Sequence, residues 1–289
     1  VVVNNNIIDG VYTGPRKYTA HSIVVGSDPS LISLGSIEEV VGDLSLHNCP
    51  NLVSLGNLRT VRGNLSIQGC PSLTSLGHLQ EVLEGYVEIR KCPNLKTLGC
   101  LQKVEGAMFL EKMDGLTSLG SLRHVQGFFT VQAKILESLG TLRTVDGDLE
   151  INVCPNLRTL GELHRAGGVY IQKPNALTSL GHLTTVRNSL NMCTPLLSSL
   201  GQSLETIGGM LHLSDCHALM SLGGLRKVGE YVRVDGKKDL PWKKFQEQIA
   251  YYENQEIHEA LNLLHEPNLP GLYKNILLRK IQGVPSTSC

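Results

Sequence analysis

The chain has 289 residues, with 26 basic and 26 acidic side chains, so it carries neither an overall cationic field for nucleic acid nor an acidic tail. No apolar run approaches the roughly 20 residues that cross a bilayer, which argues against a membrane-spanning helix and for a soluble chain. Four Phe and one Trp against 30 Gly and abundant Leu describe narrow inner positions, and make any outward aromatic informative.

In chain order, residues 1–19 come first. They open on Val1, as a processed or truncated start would, and contain "NNN" at 4–6 and "TGPRKY" at 13–18. This segment is expected to close one end of the repeat region.

Residues 20–236 repeat. The tripeptide Ser/Thr-Leu-Gly recurs with its glycine at Gly35, Gly56, Gly77, Gly99, Gly120, Gly140, Gly161, Gly181, Gly201 and Gly223, at intervals of 20 to 22 residues. A fixed period of that length is the mark of a coil stacked on itself, because each turn must bury its apolar face against the one before. Around the anchor the unit reads L-x-S-L-G-x-L-x-x-V-x-G-x-L-x-I-x-x-C-P-x. Its middle, as in "GNLSI" or "GFFTV", alternates with period two, so each copy is a short strand with one apolar face. A weaker copy, "SIVVGSDPSLISLG", precedes Gly35 and carries Pro29 in place of Cys-Pro. Eleven rungs result. Their inner pairs are Ile23/Val25, Leu44/Leu46, Leu65/Ile67, Val87/Ile89, Met108/Leu110, Phe129/Val131, Leu149/Ile151, Val169/Ile171, Leu190/Met192, Leu211/Leu213 and Val232/Val234. Strands joined by turns of one kind must be parallel, at about 4.8 Å per rung and about 50 Å in all. A return limb bearing Leu52, Leu55 and Leu58 has little room for a helix and is expected to be extended or 3₁₀.

After Val234 the period becomes helical over residues 237–289. Trp242, Phe245, Ile249 and Tyr252 form one stripe; Ile257, Ala260, Leu261 and Leu264 a second; Leu272, Tyr273, Ile276, Leu277 and Ile281 a third. Asp239 is the expected N-cap, with Pro241 in the first turn. An open solenoid end exposes core and strand edges, so these helices are expected to form a cap.

The segment L-x-I-x-x-C-x-x-L, present as Leu65, Ile67, Cys70 and Leu73, resembles the cysteine-type leucine-rich repeat, and the short G-x-L-x-I unit is similar to the coil of receptor L domains. The resemblance covers residues 20 to 235. Arg62 stands where the ordinary leucine-rich unit has its first leucine, which favours a straight, β-helix-like coil over a curved, helix-backed one. The implied fold is a right-handed parallel β-coil, and the implied role is binding rather than catalysis.

In such coils the position after the strand holds a small inward side chain bonded to the backbone of the turn. Cys49, Cys70, Cys92, Cys154 and Cys216 occupy it and read as a structural ladder. Cys100, Cys193 and Cys289 lie off the ladder, and no CxxC spacing supports zinc or redox chemistry. His212, Cys216 and His217 are close in sequence, yet Cys216 faces inward and His212 outward, so they are expected to diverge. Neither a metal nor any other cofactor is expected. Asn64-Leu65-Ser66 is a glycosylation sequon that by itself decides nothing.

Outward acids at Asp43, Glu88, Glu111, Asp148, Glu150 and Asp235 would matter to a carbohydrate-cleaving β-helix, but only Asp148 and Glu150 share a rung. Arg59, Lys103, Arg123, Arg143, Arg165, Arg226 and Lys227 make a basic stripe on the return limb without the interleaved aromatics that single-stranded nucleic acid would need. Tyr86, Phe109, Phe128 and Tyr170 gather outward on the central rungs, flanked by Glu88 and Glu150. The expected function is therefore a non-enzymatic protein–protein interaction module or scaffold, with Tyr86, Glu88, Phe109, Phe128, Glu150 and Tyr170 contacting the partner. The alternatives are a ligand-binding receptor-type ectodomain, an architectural subunit of a large assembly, and last a β-helix carbohydrate enzyme. A reduced cysteine ladder would favour an intracellular setting; oxidised cysteines and a glycan on Asn64 would favour secretion.

Overall fold

The computed structural model describes residues 7–18, 22–172 and 176–282; Asn4, Asn5, Asn6 and Cys289 lie outside them. The chain winds into a parallel β-solenoid of about ten turns, followed by three helices. Three lines of pairing run along it. The longest is a sheet of short strands running from Ser22–Gly26 through Leu65–Gln68, Val87–Arg90, Met108–Glu111, Phe129–Val131 and Leu149–Asn152 to Tyr231–Val234. The second is built from two-residue strands such as Glu39–Val40, Thr60–Val61 and Lys103–Val104, all parallel. The third consists of single bridges between the Ser and Thr residues of the anchor, Ser33 to Ser54 and Thr97 to Ser118 among them. The return limb is thus extended, with i to i+3 turns such as Leu73 N–H to Cys70 O at 3.2 Å.

Every inner pair named from the sequence is buried, and the rest of the unit fills the same core. In one coil Leu65, Ile67, Cys70, Leu73, Leu76, Leu79 and Val82 are all fully shielded. Each anchor hydroxyl accepts the N–H of the glycine two residues on, as Ser75 does from Gly77 at 3.0 Å, so the corner is satisfied within its own coil. That glycine sits near φ +60°, and a Cβ at Gly99 would lie 2.6 Å from the Gly77 carbonyl oxygen one coil below.

The drift in period has a local cause. Where two residues lie between the strand's second inner residue and the ladder position, the residue before the ladder is left-handed: Asn48, Gly69, Lys91, Lys112, Val153 and Asp215 all have φ between +51° and +66°. In the two shorter corners among the described residues, with one residue between, the ladder residues are Ala133 and Thr194, and no left-handed residue precedes them. Of the two 22-residue units, the one between Gly77 and Gly99 adds another at Glu84, φ +60°.

The N-terminal segment forms a hairpin, Ile7–Ile8 with Val11–Tyr12, and Lys17–Tyr18 adds to the second sheet. Tyr12 is buried against the first coil, so the described part of this segment closes that end. At the other end Leu240–Pro241 pairs antiparallel with Tyr231–Val234 and leads into α1 (Trp242–Glu253), α2 (Ile257–Leu263) and α3 (Gly271–Ile281). Four carbonyls of the last coil are taken by side chains of the cap. Asn275 Nδ2 donates to His217 O and Leu219 O, Arg279 to Met220 O, and Trp242 Nε1 to Arg226 O at 3.0 Å. No helix among the described residues is long and apolar enough to cross a membrane.

Two sequence expectations for the cap are corrected. Asp239 does not cap α1: it takes a two-pronged bond from Arg233, at 2.6 and 2.9 Å, and Pro241 occupies the N-cap without a side-chain bond. A guanidinium offering paired charged donors outcompetes a backbone N–H for the carboxylate. The second apolar stripe is not a buried face either. Ile257 and Leu261 are 54% and 47% exposed, because the short α2 packs chiefly through Ala260.

A chain ending at Gly236 exposes the final core layer and its carbonyls, and is expected to aggregate or lose cooperative unfolding, as size-exclusion chromatography and thermal melts would show; an equally stable, soluble fragment would make the helices an independent unit. Val153 is a β-branched residue held left-handed, a conformation costing about 1–2 kcal/mol, and its side chain is half exposed. Val153→Gly should therefore raise stability by about 1 kcal/mol in denaturant titrations, net of the added chain entropy of glycine.

Candidate functional site: the outer face of the long sheet

Parity fixes this face. Because the inner pair of each strand points to the core, the residues before, between and after it face out, and parallel pairing without slip stacks like positions. The middle column reads Ser66, Glu88, Phe109, Thr130, Glu150, Tyr170, Asn191, each register partner of the next. The first column brings Tyr86 and Phe128 to either side of Ala107, since Val87 N–H donates to Ala107 O and Met108 N–H to Phe128 O. Small Ala107 thus leaves a gap between two rings, with Phe109 alongside in the next column.

Tyr86 is 40% and Phe128 57% exposed, while Phe109 and Tyr170 are half-buried. The described N-terminal segment pairs at the first coil and the helices pack on the last, so neither lies over these central rungs. The structure brings Tyr86, Glu88, Phe109 and Phe128 together on neighbouring strands and sets Glu150 and Tyr170 on the adjoining ones.

Around the rings the polar groups are tied down. Arg90 bridges Glu88 at 2.8 Å and Glu111 at 3.2 Å, so one guanidinium holds two carboxylates on adjacent strands. Its Nε is buried without a partner. Ser66 Oγ donates to Glu88 at 3.4 Å, and Glu150 stays exposed with Thr130 Oγ1 at 3.5 Å. A second network runs up the first column. Asp43 Oδ1 accepts the Asn64 N–H at 2.7 Å and Asn64 Oδ1 accepts the Tyr86 N–H at 3.0 Å, so the sequon asparagine also positions an aromatic strand. Asp148 Oδ1 accepts from the Gly168 N–H and, at 3.0 Å, from Asn188 Nδ2. The Tyr170 ring lies where a Cβ on Gly168 would stand, 2.7 Å from that point, so glycine is what lets the ring fold down. Burial pushes the Tyr170 hydroxyl above its ordinary pKa, helped by Asp148 and Glu150.

Sequence reasoning places the column but misses these ties. The signal for them is the Asx residue opening one strand ahead of a backbone N–H in the next, and a glycine two residues before Tyr170.

The other sequence candidates separate in space. His212 bonds Ser214 Oγ at 3.0 Å on the outer face, Cys216 is buried, and His217 is exposed beside Asp215. On the return limb Lys103 pairs with Glu105 at 2.7 Å and Arg165 approaches Asp146 at 3.9 Å, so acids interrupt the basic stripe. Cys49, Cys70, Cys92, Cys154 and Cys216 line one buried column that Met113, Ala133 and Thr194 continue. Each thiol sits 3.4 to 3.7 Å from the carbonyl two residues before it. Burial pushes the Cys154 thiol up to about 11 and raises that of Cys216. Cys100 is exposed.

No family model, curated protein or solved structure matches the chain.

A thiol whose pKa is raised stays protonated, and so unreactive, at any pH below that value. Iodoacetamide at pH 8 is expected to modify Cys100 in the folded protein and to reach Cys154 and Cys216 only after denaturation. Intact mass before and after unfolding reads this directly; ladder cysteines found paired in disulfides would overturn the structural role.

Proposed function

We propose that this protein is a non-enzymatic interaction module whose long-sheet face docks a protein partner through Tyr86, Phe109, Phe128 and Tyr170, with Glu88 and Glu150 at the rim. Its coil is, on this reading, a short cysteine-type leucine-rich repeat of the L-domain-like class with eleven rungs. The recurring L-x-I-x-x-C-x-x-L register supports that class.

The carrying observation is the exposure of Tyr86 and Phe128 on either side of Ala107, in the middle of the face, in a chain with four Phe and one Trp. Exposed rings invite association, so a solenoid gains nothing from them unless something covers them. Aromatics at the centre of a patch with charged and polar groups around them have the anatomy of an interface core and its rim. Arg90, Glu88 and Glu111 already neutralise one another in part, which lowers the cost of covering them.

The test is Phe109→Ala with Phe128→Ala. Central aromatics commonly cost about 2 kcal/mol or more on truncation, so the double variant should weaken the complex with a partner captured on the wild-type protein by well over tenfold, measured by biolayer interferometry. Arg143→Ala, on the return limb, should change little. Normal binding by the double variant would move the working face elsewhere, and its unfolding would show that the rings are covered by the protein's own chain.

A further inference from the structure

The last coil of a stacked solenoid has no successor to fill the space above its inner side chains, so the cap must do so. It does so incompletely. Between the last strand and the helices lies a cavity of about 300 Å³, at the lower end of the range for small-molecule sites. Its floor is Val232 and Val234, the final inner pair; its roof is Phe245, Tyr252 and Tyr273. The rings form a preassembled wall: Tyr252 stacks on Tyr273 with centroids 4.7 Å apart, and Phe245 tilts against Tyr273 at 6.3 Å. Leu240 and Leu269 line the remaining sides.

The polar groups are few and unevenly placed. Inside, Tyr273 donates to Gln248 Oε1 at 3.0 Å, so these two satisfy each other. Lys237 and Lys238 also line the cavity, and neither forms an ion pair among the described residues. The nearest carboxylate in sequence, Asp239, is consumed by Arg233. Glu266 is the only acid on the lining, against two lysines at its solvent-exposed edge. An apolar, aromatic-walled space bearing surplus positive charge suits one kind of molecule.

We propose that the cavity binds a small monoanionic amphiphile, a medium-chain carboxylic acid, with its apolar body between Val234 and the Tyr273 ring and its carboxylate on Lys237 and Lys238. Such a ligand touches the last coil and the cap together, so it stabilises their union by mass action. The site is separate from the outer sheet face, and its fate is independent of the role proposed there.

The chain carries its own reporter. Trp242 is the only tryptophan, and it stacks at 5.9 Å on Phe245, one of the cavity rings. The full chain is titrated with decanoate and, in parallel, with decylamine, both below their micelle concentrations, following Trp242 emission and the melting temperature. Decanoate is expected to give a saturable emission change and a higher melting temperature, with decylamine at least tenfold weaker. Lys237→Gln with Lys238→Gln should cost decanoate tenfold or more, and Val234→Phe, which fills the space, should abolish the response. If Val234→Phe fails to fold, Leu269→Phe fills the same space from its side. No saturable response to decanoate, equal affinity for both amphiphiles, or undiminished binding in the folded filling variant would each overturn the proposal.

Discussion

Everything in this molecule answers to one constraint: a backbone N–H in each coil must find its carbonyl in the coil beside it. Parallel pairing without slip carries that demand along all three lines of contact, so a residue type allowed at one level is confronted with its counterpart at the next. The glycine columns are one result. A Cβ at Gly106 would strike the Gly85 backbone, and one at Gly127 the backbone of Gly106. The leucine columns are another, since a lone coil could not bury them and a stack buries them completely.

Length variation enters only where that demand is relaxed. The corner after each long strand gains or loses a single left-handed residue while the flanking ladder positions stay in line, so Ala133 and Cys154 occupy the same column although their corners differ. Side-chain variety enters where the demand is silent. The outward columns are spared core packing and, Gly168 beneath the Tyr170 ring apart, glycine's close approach, and there the chain places its rings, its Arg90 bridge and its Asx ladders.

The core is legible in the sequence because a period of two, repeated in every unit, states the parity of Leu65 and Ile67 many times over. Outward residues follow from the same parity, so Tyr86, Phe109, Phe128 and Tyr170 can be named from the pattern alone. The second sheet cannot: two residues such as Thr60 and Val61 carry no periodicity of their own, and their pairing is imposed by neighbouring coils. Asp239 misleads because its competitor, Arg233, belongs to a strand whose proximity only the fold creates. Ile257 and Leu261 mislead because helical spacing reports a stripe and not what lies opposite it. The cavity leaves no trace in the pattern at all, being a property of how two differently built units meet.

The antiparallel strand Leu240–Pro241 gives the rod a finite length. A stack of identical parallel coils is a template for its own continuation, with each end offering the next chain a ready-made register. Here the direction of the chain reverses at the final strand, a proline removes one donor from the new edge, and side chains from α1 and α3 occupy the carbonyls behind it. Another molecule arriving with parallel strands meets a reversed lattice at that end. Residues 240–282 therefore work as a chain terminator in the polymer chemist's sense, keeping an architecture close to that of a fibril discrete.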